Sequence, residues 1–128
     1  MDKEFITYEQ ALALKELGFD EPCLKIWEKT MLFTTLVNPE EFKRVVSERY
    51  TKAPTFSQAF RWFRDVHELE GVPQKADSFS WFKFCIWKYI SNGKHRVNDA
   101  FGFEYKTYEE EEQACLDKLI EIVRLTKP

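Results

Sequence analysis

The pattern of apolar and polar positions predicts four helices, and three of them begin with the same signal. A threonine followed three residues later by Gln or Glu is a capping box, in which two side chains satisfy amide donors at a helix start. The three examples are Thr7 with Gln10, Thr55 with Gln58, and Thr107 with Glu110. The first helix runs from Tyr8 to about Leu17. It ends at Gly18, with Phe19 folding back onto Leu14. A fourth helix start is Asn38-Pro39-Glu40-Glu41, which combines a cap, a proline at the first turn and two acids.

The helix that begins at Thr55 is strongly amphipathic and is expected to continue to Glu70, before a stop at Gly71. Its apolar arc consists of Phe56, Ala59, Phe60, Trp62, Phe63, Val66, His67 and Leu69. Arg61 and Arg64 lie on the opposite arc, each with an acid four residues further on. A single-strand nucleic-acid binder interleaves rings and cations on one surface. The separation seen here favours a core helix with a solvated back.

Three segments have the alternation and composition of strands. The segment "CLKIWEKTMLFTTLV" predicts a hairpin that breaks at Glu28-Lys29-Thr30. The clearest strand runs from Ser78 to Ile90 and leads into Asn92-Gly93, the preferred central pair of a type I′ turn. A returning strand is expected from His95 to about Asp99.

After a further extended stretch, "FGFEYK", the last helix is predicted from Tyr108 to about Leu125. Its apolar side consists of Tyr108, Cys115, Leu116, Leu119, Ile120, Ile122 and Val123. Glu112 falls on the same side and is expected to reach solvent or a basic partner. The run from Glu109 to Glu112 occupies the first turn, where the helix dipole favours negative charge.

Length and composition, together with these elements, predict the fold class. A chain of 128 residues that is 44% hydrophobic and 16% aromatic can bury a core of its own. Four glycines and five prolines leave no linker-like segment. We expect one α+β domain over residues 1–128, with an antiparallel sheet of about four or five strands packed by three or four helices.

Charge, apolar runs and cysteine spacing indicate the cellular compartment and the kind of partner. The net charge of −3 comes from acids and bases spread along the chain, so that nucleic acid is a disfavoured partner. The first ten residues lack the pattern of a signal peptide, and no apolar run is long enough for a membrane span. The three widely spaced cysteines fit reduced thiols. These features predict a cytoplasmic protein.

The strongest candidate for function is one face of the main strand. Alternation sends Phe79, Trp81, Lys83, Cys85, Trp87 and Tyr89 to one face and Phe82, Phe84, Ile86 and Ile90 to the other. If helices cover both faces, this is simply a central strand. If they cover one, a surface suited to protein hot spots or to a flat anionic ligand remains. That surface consists of Trp81, Lys83, Trp87, Tyr89 and Arg96.

Catalytic and cofactor signatures are missing from the sequence. It contains no Gly-rich phosphate loop, no GxSxG or HExxH motif and no set of zinc ligands, which predicts neither a catalytic residue nor a cofactor. The leading hypothesis is therefore a non-enzymatic binding module. One alternative is a small hydrolase or transferase that uses Cys85 or Cys115 with His67. Another is weak nucleic-acid binding through Arg61, Arg64 and neighbouring lysines.

Three segments of the chain resemble a group of small uncharacterised proteins encoded by Bacteroides-type bacteria and by their phages and mobile elements. They are "ITYEQALALKELGFDEPC", "APTFSQAFRWFRDVHEL" and "KTYEEEEQACLDKLIEIV". The resemblance implies an accessory protein that acts in the bacterial host cytoplasm, where a host protein or a small effector would be its partner. It implies no catalytic residue.

Overall fold

A computed structural model of the chain describes residues 4–28, 31–34, 51–75, 82–90, 93–99 and 107–126. At residues 33–34, 74–75, 82–83, 90 and 94–99 it describes the backbone alone. Within these ranges the chain forms three helices and two antiparallel sheets of three strands each. It divides into two compact units, unit 1 (Met1–Gln58) and unit 2 (Ala59–Pro128). The α+β class is confirmed, but two small sheets take the place of the expected single sheet of four or five strands.

Helix α1 of unit 1, Tyr8–Glu16, has both ends as the sequence predicts. The Thr7 hydroxyl accepts from the Gln10 amide at 3.2 Å, and the Gln10 side chain accepts from the Thr7 amide at 3.1 Å. At the other end, Gly18 has φ +100°. The Gly18 and Phe19 amides donate to the carbonyls of Lys15 and Leu14, which is the Schellman pattern.

The sheet of unit 1 has the strand order β2-β1-β3, with β1 Lys25–Glu28, β2 Met31–Thr34 and β3 Thr51–Ala53. The β1–β2 register from Lys25↔Thr34 to Glu28↔Met31 confirms the predicted hairpin. Strand β3 had no sequence signal. Helix α1 packs against β3, and the buried core residues include Ile6, Leu14, Ile26 and Ala53.

Helix α2, Phe56–His67, sorts its residues much as the sequence predicts. Phe56, Ala59, Trp62 and Phe63 are buried, whereas Ser57, Arg61, Arg64 and Asp65 are exposed. The described ion pair on the exposed face joins Arg64 Nε to Asp65 at 3.9 Å. Val66 was wrongly assigned to the apolar arc, since it is 55% exposed.

The C-terminal end of α2 differs from the expectation. The helix stops at His67 rather than at Glu70, and Glu68 takes a left-handed conformation with φ +58°. The next residue begins β4, Leu69–Lys75, a strand that the sequence did not predict. Gly71 is therefore a strand residue paired with Ile86 and not a helix stop. Pairing with the neighbouring strand outweighs the low strand propensity of Gly71 and Pro73.

The sheet of unit 2 has the order β4-β5-β6, with β5 Phe82–Ile90 and β6 Gly93–Asp99. The register Ile90↔Gly93 confirms the predicted second hairpin. The predicted strand start at Ser78, Asn92 of the turn, the Asn38-Pro39 helix and the segment "FGFEYK" lie outside the described residues.

Helix α3, Tyr108–Thr126, packs against β4 and β5. Five residues of its predicted apolar side are buried: Cys115, Leu116, Leu119, Ile120 and Val123. Tyr108 is exposed, contrary to the prediction. Among the helices that the structure describes, none is long and apolar enough to cross a membrane.

Candidate functional site

The two faces of β5 have different surroundings. A Cβ added at Gly71 would lie 2.8 Å from Cys115 Sγ, so that this face of the sheet is in contact with α3. Gly71 pairs with Ile86, which is therefore on the α3 side and is buried, as is Phe84. Alternation puts Trp87 and Tyr89 on the other face. Both have half-buried side chains.

Four half-buried residues of β4 and β5 share this second face, which we call the Trp87 face: Glu70, Val72, Trp87 and Tyr89. Glu70 lies directly opposite Trp87 in the register. Cys85, on the same face, is buried. The face is therefore covered at Cys85 and partly exposed from Trp87 to Tyr89, which lies between the two alternatives that the sequence left open.

Tyr89 is held in place by two hydrogen bonds. Its hydroxyl donates to Glu70 Oε2, and its backbone amide donates to the Glu68 carbonyl at 2.9 Å. The hydrogen bond to Glu70 raises the pKa of Tyr89, while the nearby positive charge of Arg64 opposes this shift. The phenol thus stays protonated at neutral pH and serves as a donor. An aromatic ring fixed in this way loses little conformational entropy when it binds a partner.

The structure describes the other three predicted surface residues only in part. Trp81 lies outside the described residues, and Lys83 and Arg96 belong to positions where only the backbone is described. The register pairs Lys83 with Gln74 and Arg96 with Trp87. The Arg96 backbone is therefore the direct neighbour of Trp87 in β6, and the role of its side chain at the border of this surface stays a prediction.

The thiols are poorly suited to nucleophilic chemistry. Cys85 and Cys115 are both buried. Burial raises the pKa of the Cys115 thiol far above its ordinary range, and Glu111 adds to the shift. A nucleophile needs the thiolate form. The surroundings of Cys115 therefore oppose the role that the alternative hydrolase or transferase would require.

His67 has the neighbours of a packing residue. Its ring lies 4.9 Å from that of Trp62 in a T-shaped arrangement and 5.7 Å from that of Phe63, centroid to centroid. Its backbone carbonyl accepts from Lys88 Nζ at 3.2 Å. Over the described ranges, no group of three His, Cys, Asp or Glu residues is arranged to hold a metal ion.

The buried glutamate in the first turn of α3 is not the one that the sequence predicted. Glu111, not Glu112, is the fully buried acid, with 0% exposure. Glu112 is half-buried, and its burial raises its pKa to about 7, with a smaller contribution from the charge of Glu109. The folded state therefore disfavours the ionised form of Glu112 at neutral pH.

This raised pKa predicts a pH dependence of stability. A carboxyl whose pKa is about 7 when folded, against 4.5 in its ordinary state, stabilises the fold fully below pH 4.5, and the contribution is lost as the pH rises through 7. We expect the stability of Glu112→Gln, relative to that of the wild type, to be higher at about pH 8 than at about pH 5. Urea unfolding at both pH values measures this difference.

The control for this experiment is Glu110→Gln, which removes a carboxylate from an exposed position of the same turn. Its stability relative to the wild type should change little between the two pH values. If the difference in stability between Glu112→Gln and the wild type is the same at both pH values, folding does not raise the pKa of Glu112.

Unit 1 contains a cavity that the sequence did not reveal. It has a volume of about 70 Å³ and lies between α1, the residues that follow it and β3. Its lining consists of Ala11, Lys15, Phe19, Asp20, Thr51 and Lys52. Because these residues come from segments about thirty positions apart in the chain, no local motif could have indicated the cavity.

The main polar feature of the cavity is an ion pair. Lys52 Nζ lies 2.7 Å from Asp20 Oδ1. The Lys52 side chain is 10% exposed, whereas the Asp20 side chain is 82% exposed. The field of the lysine also acts on Cys23, where burial raises the thiol pKa to about 12 and the charge of Lys52 opposes the shift.

Comparison of the chain with protein-family models, with curated proteins and with solved structures gives no match. The resemblance to the phage-encoded group stays a prediction, and the candidate function depends on the two described features, the Trp87 face and the cavity of unit 1.

Proposed function

We propose that this protein is a non-enzymatic binding module, an accessory protein of a phage or mobile element that binds a host protein in the bacterial cytoplasm through the Trp87 face. The observation that carries the proposal is the pair of half-buried aromatic residues, Trp87 and Tyr89, on one face of β5. Tryptophan, tyrosine and arginine are the residues most enriched at the energetic centres of protein interfaces. A small effector on this face is the alternative.

The geometry of Tyr89 supports a preformed surface. Its hydrogen bond to Glu70 fixes the ring beside Trp87, and the two residues are on a strand that is hydrogen-bonded on both sides. Binding then needs little ordering of the side chains, so that more of the burial energy is retained as affinity. A flexible loop with the same residues would lose more entropy.

Charge favours a partner that is acidic around an apolar centre. Arg64 is exposed and close enough to Tyr89 to oppose the rise in the pKa of its phenol. The Arg96 backbone is paired with Trp87, and Glu70, a carboxylate of the Trp87 face, already accepts from Tyr89. A partner with acidic side chains at the rim would therefore gain attraction and faster association.

A crosslinking experiment followed by affinity measurement tests the proposal. A photoreactive amino acid in place of Tyr89 should crosslink one defined host protein, whereas the same group in place of Glu121, exposed on α3, should not. With that protein purified, Trp87→Ala should weaken binding by about 2 kcal/mol or more. Val66→Ala truncates an exposed apolar residue of unit 2 outside the Trp87 face and should leave the affinity unchanged.

Both variants must retain the circular dichroism and unfolding midpoint of the wild type for the comparison to count. Equal affinities of Trp87→Ala and Val66→Ala would remove the Trp87 face as the interface. Crosslinking of an isolated small molecule, with no protein captured, would favour the small-effector alternative.

A further inference from the structure

The cavity of unit 1 has the size of a head-group site. About 10 to 15 Å³ of such space holds one water molecule, so that about 70 Å³ accommodates a group such as a carboxylate with a short apolar extension. Complete drug-sized ligands usually occupy several hundred Å³. The cavity therefore fits the end of a small molecule rather than a nucleotide or a peptide.

The walls combine an apolar floor with a fixed cation. Ala11 and Phe19 are buried and supply the apolar surface. Lys52 is almost fully enclosed, and an enclosed ammonium is strongly unfavourable without an anion beside it. Lys15, exposed on the last turn of α1, adds a second positive charge at the rim.

The two partners of the ion pair in the cavity differ in exposure, and this difference allows another anion to replace the Asp20 carboxylate. Lys52 is held in the wall, but the Asp20 carboxylate approaches it from solvent with 82% of its side chain exposed. An exposed carboxylate recovers its hydration easily when it turns away, so that the cost of separating the pair falls on the enclosed Lys52 ammonium. An anion from outside can then take its place on Lys52 without leaving the ammonium unpaired.

We propose that this cavity binds a small carboxylic acid, whose carboxylate replaces that of Asp20 on the Lys52 ammonium while its apolar part lies against Ala11 and Phe19. A carboxylate is favoured over phosphate because the group now paired with Lys52 is itself a carboxylate. A phosphate would bring a second negative charge near Asp20, with Lys15 as the other lysine in the lining. The inference uses residues of unit 1 and is independent of the Trp87 face.

Titration with sodium propionate at constant ionic strength tests this site, with binding followed by amide chemical shifts in heteronuclear NMR. The expected result is saturable shifts at Ala11, Lys15, Phe19, Thr51 and Lys52. Constant ionic strength is needed because salt alone alters surface electrostatics. Linear shifts without saturation would overturn the proposal.

Two variants are expected to change the affinity for propionate in opposite directions. Asp20→Asn removes the competing carboxylate and should tighten propionate binding several-fold. Lys52→Met keeps the aliphatic stem but removes the ammonium and should weaken binding on the order of tenfold or more, since a charge-assisted hydrogen bond is lost. Lys118→Met, which removes an ion-paired surface lysine of α3, should leave binding unchanged.

Circular dichroism and the unfolding midpoint show whether each variant folds, and Asp20→Asn decides the outcome alone if Lys52→Met does not fold. Weaker or unchanged binding by Asp20→Asn would refute displacement of this carboxylate. Tighter binding of inorganic phosphate than of propionate at the same amides would refute the assignment to carboxylic acids.

Discussion

Replacing Phe63 by alanine is expected to lower the free energy of unfolding of unit 2 by about 3 to 5 kcal/mol. Phe63 is 0% exposed, and its ring lies 5.0 Å from that of Trp62. Truncation removes this buried surface and leaves a cavity that the neighbouring groups fill only in part. Because small domains are stable by about 5 to 15 kcal/mol, such a loss would leave unit 2 marginally folded.

Native-state hydrogen exchange of the β5 amides measures the effect within unit 2. The matched control is Val66→Ala on the same helix, where the side chain is 55% exposed and the expected change is below about 0.5 kcal/mol. Similar protection of the β5 amides in the two variants would show that Phe63 is not a core residue.

The second large effect is expected from Gly71→Val. A Cβ at this position would lie 2.8 Å from Cys115 Sγ and 3.0 Å from Leu119 Cδ1, and both neighbours are fully buried. Valine would force α3 away from β4, at a cost of about 3 kcal/mol. Gly71→Ala should cost less, since the reduced entropy of the unfolded chain offsets part of the strain.

A double-mutant cycle identifies the contact responsible. In a Cys115→Ala background the Sγ atom is gone, so that Gly71→Ala should destabilise less than it does in the wild type. Urea unfolding of the two single variants, the double variant and the wild type gives the coupling. An equal cost of Gly71→Ala in both backgrounds would mean that Cys115 does not restrict this position.

The local signals in the sequence predicted the helix starts well. The Thr7 capping box and the Schellman ending at Gly18 and Phe19 are present as predicted, because each involves residues within five positions of one another. The buried side of α2 also followed from periodicity. Such features need no knowledge of what the helix packs against.

Strand β4 shows where local reasoning failed. Gly71 and Pro73 are typical of a break, yet both are in a strand that pairs with β5. The reason is long-range, since α3 approaches so closely at Gly71 that only a residue without a side chain fits. The buried acid is a similar case. Whether Glu111 or Glu112 turns inward depends on how α3 rotates against the sheet.

The Trp87 face was partly predictable from local pattern, whereas the cavity of unit 1 was not. Alternation along β5 was enough to put Trp87 and Tyr89 on one face, but their exposure and the bond from Tyr89 to Glu70 depend on the neighbouring strand. The cavity of unit 1 had no signal at all. Its ion pair joins Asp20, just after α1, to Lys52 in β3.

The sequence by itself determined the α+β class, the starts of the three described helices, the two hairpins and most of the faces of α2 and β5, because these depend on interactions between near neighbours in the chain. Only the tertiary structure decided the division into two sheets, the strand at Gly71, the burial of Glu111 and the pairing of Lys52 with Asp20. Those features depend on contacts between distant segments, whose energies are comparable to local propensities and can outweigh them.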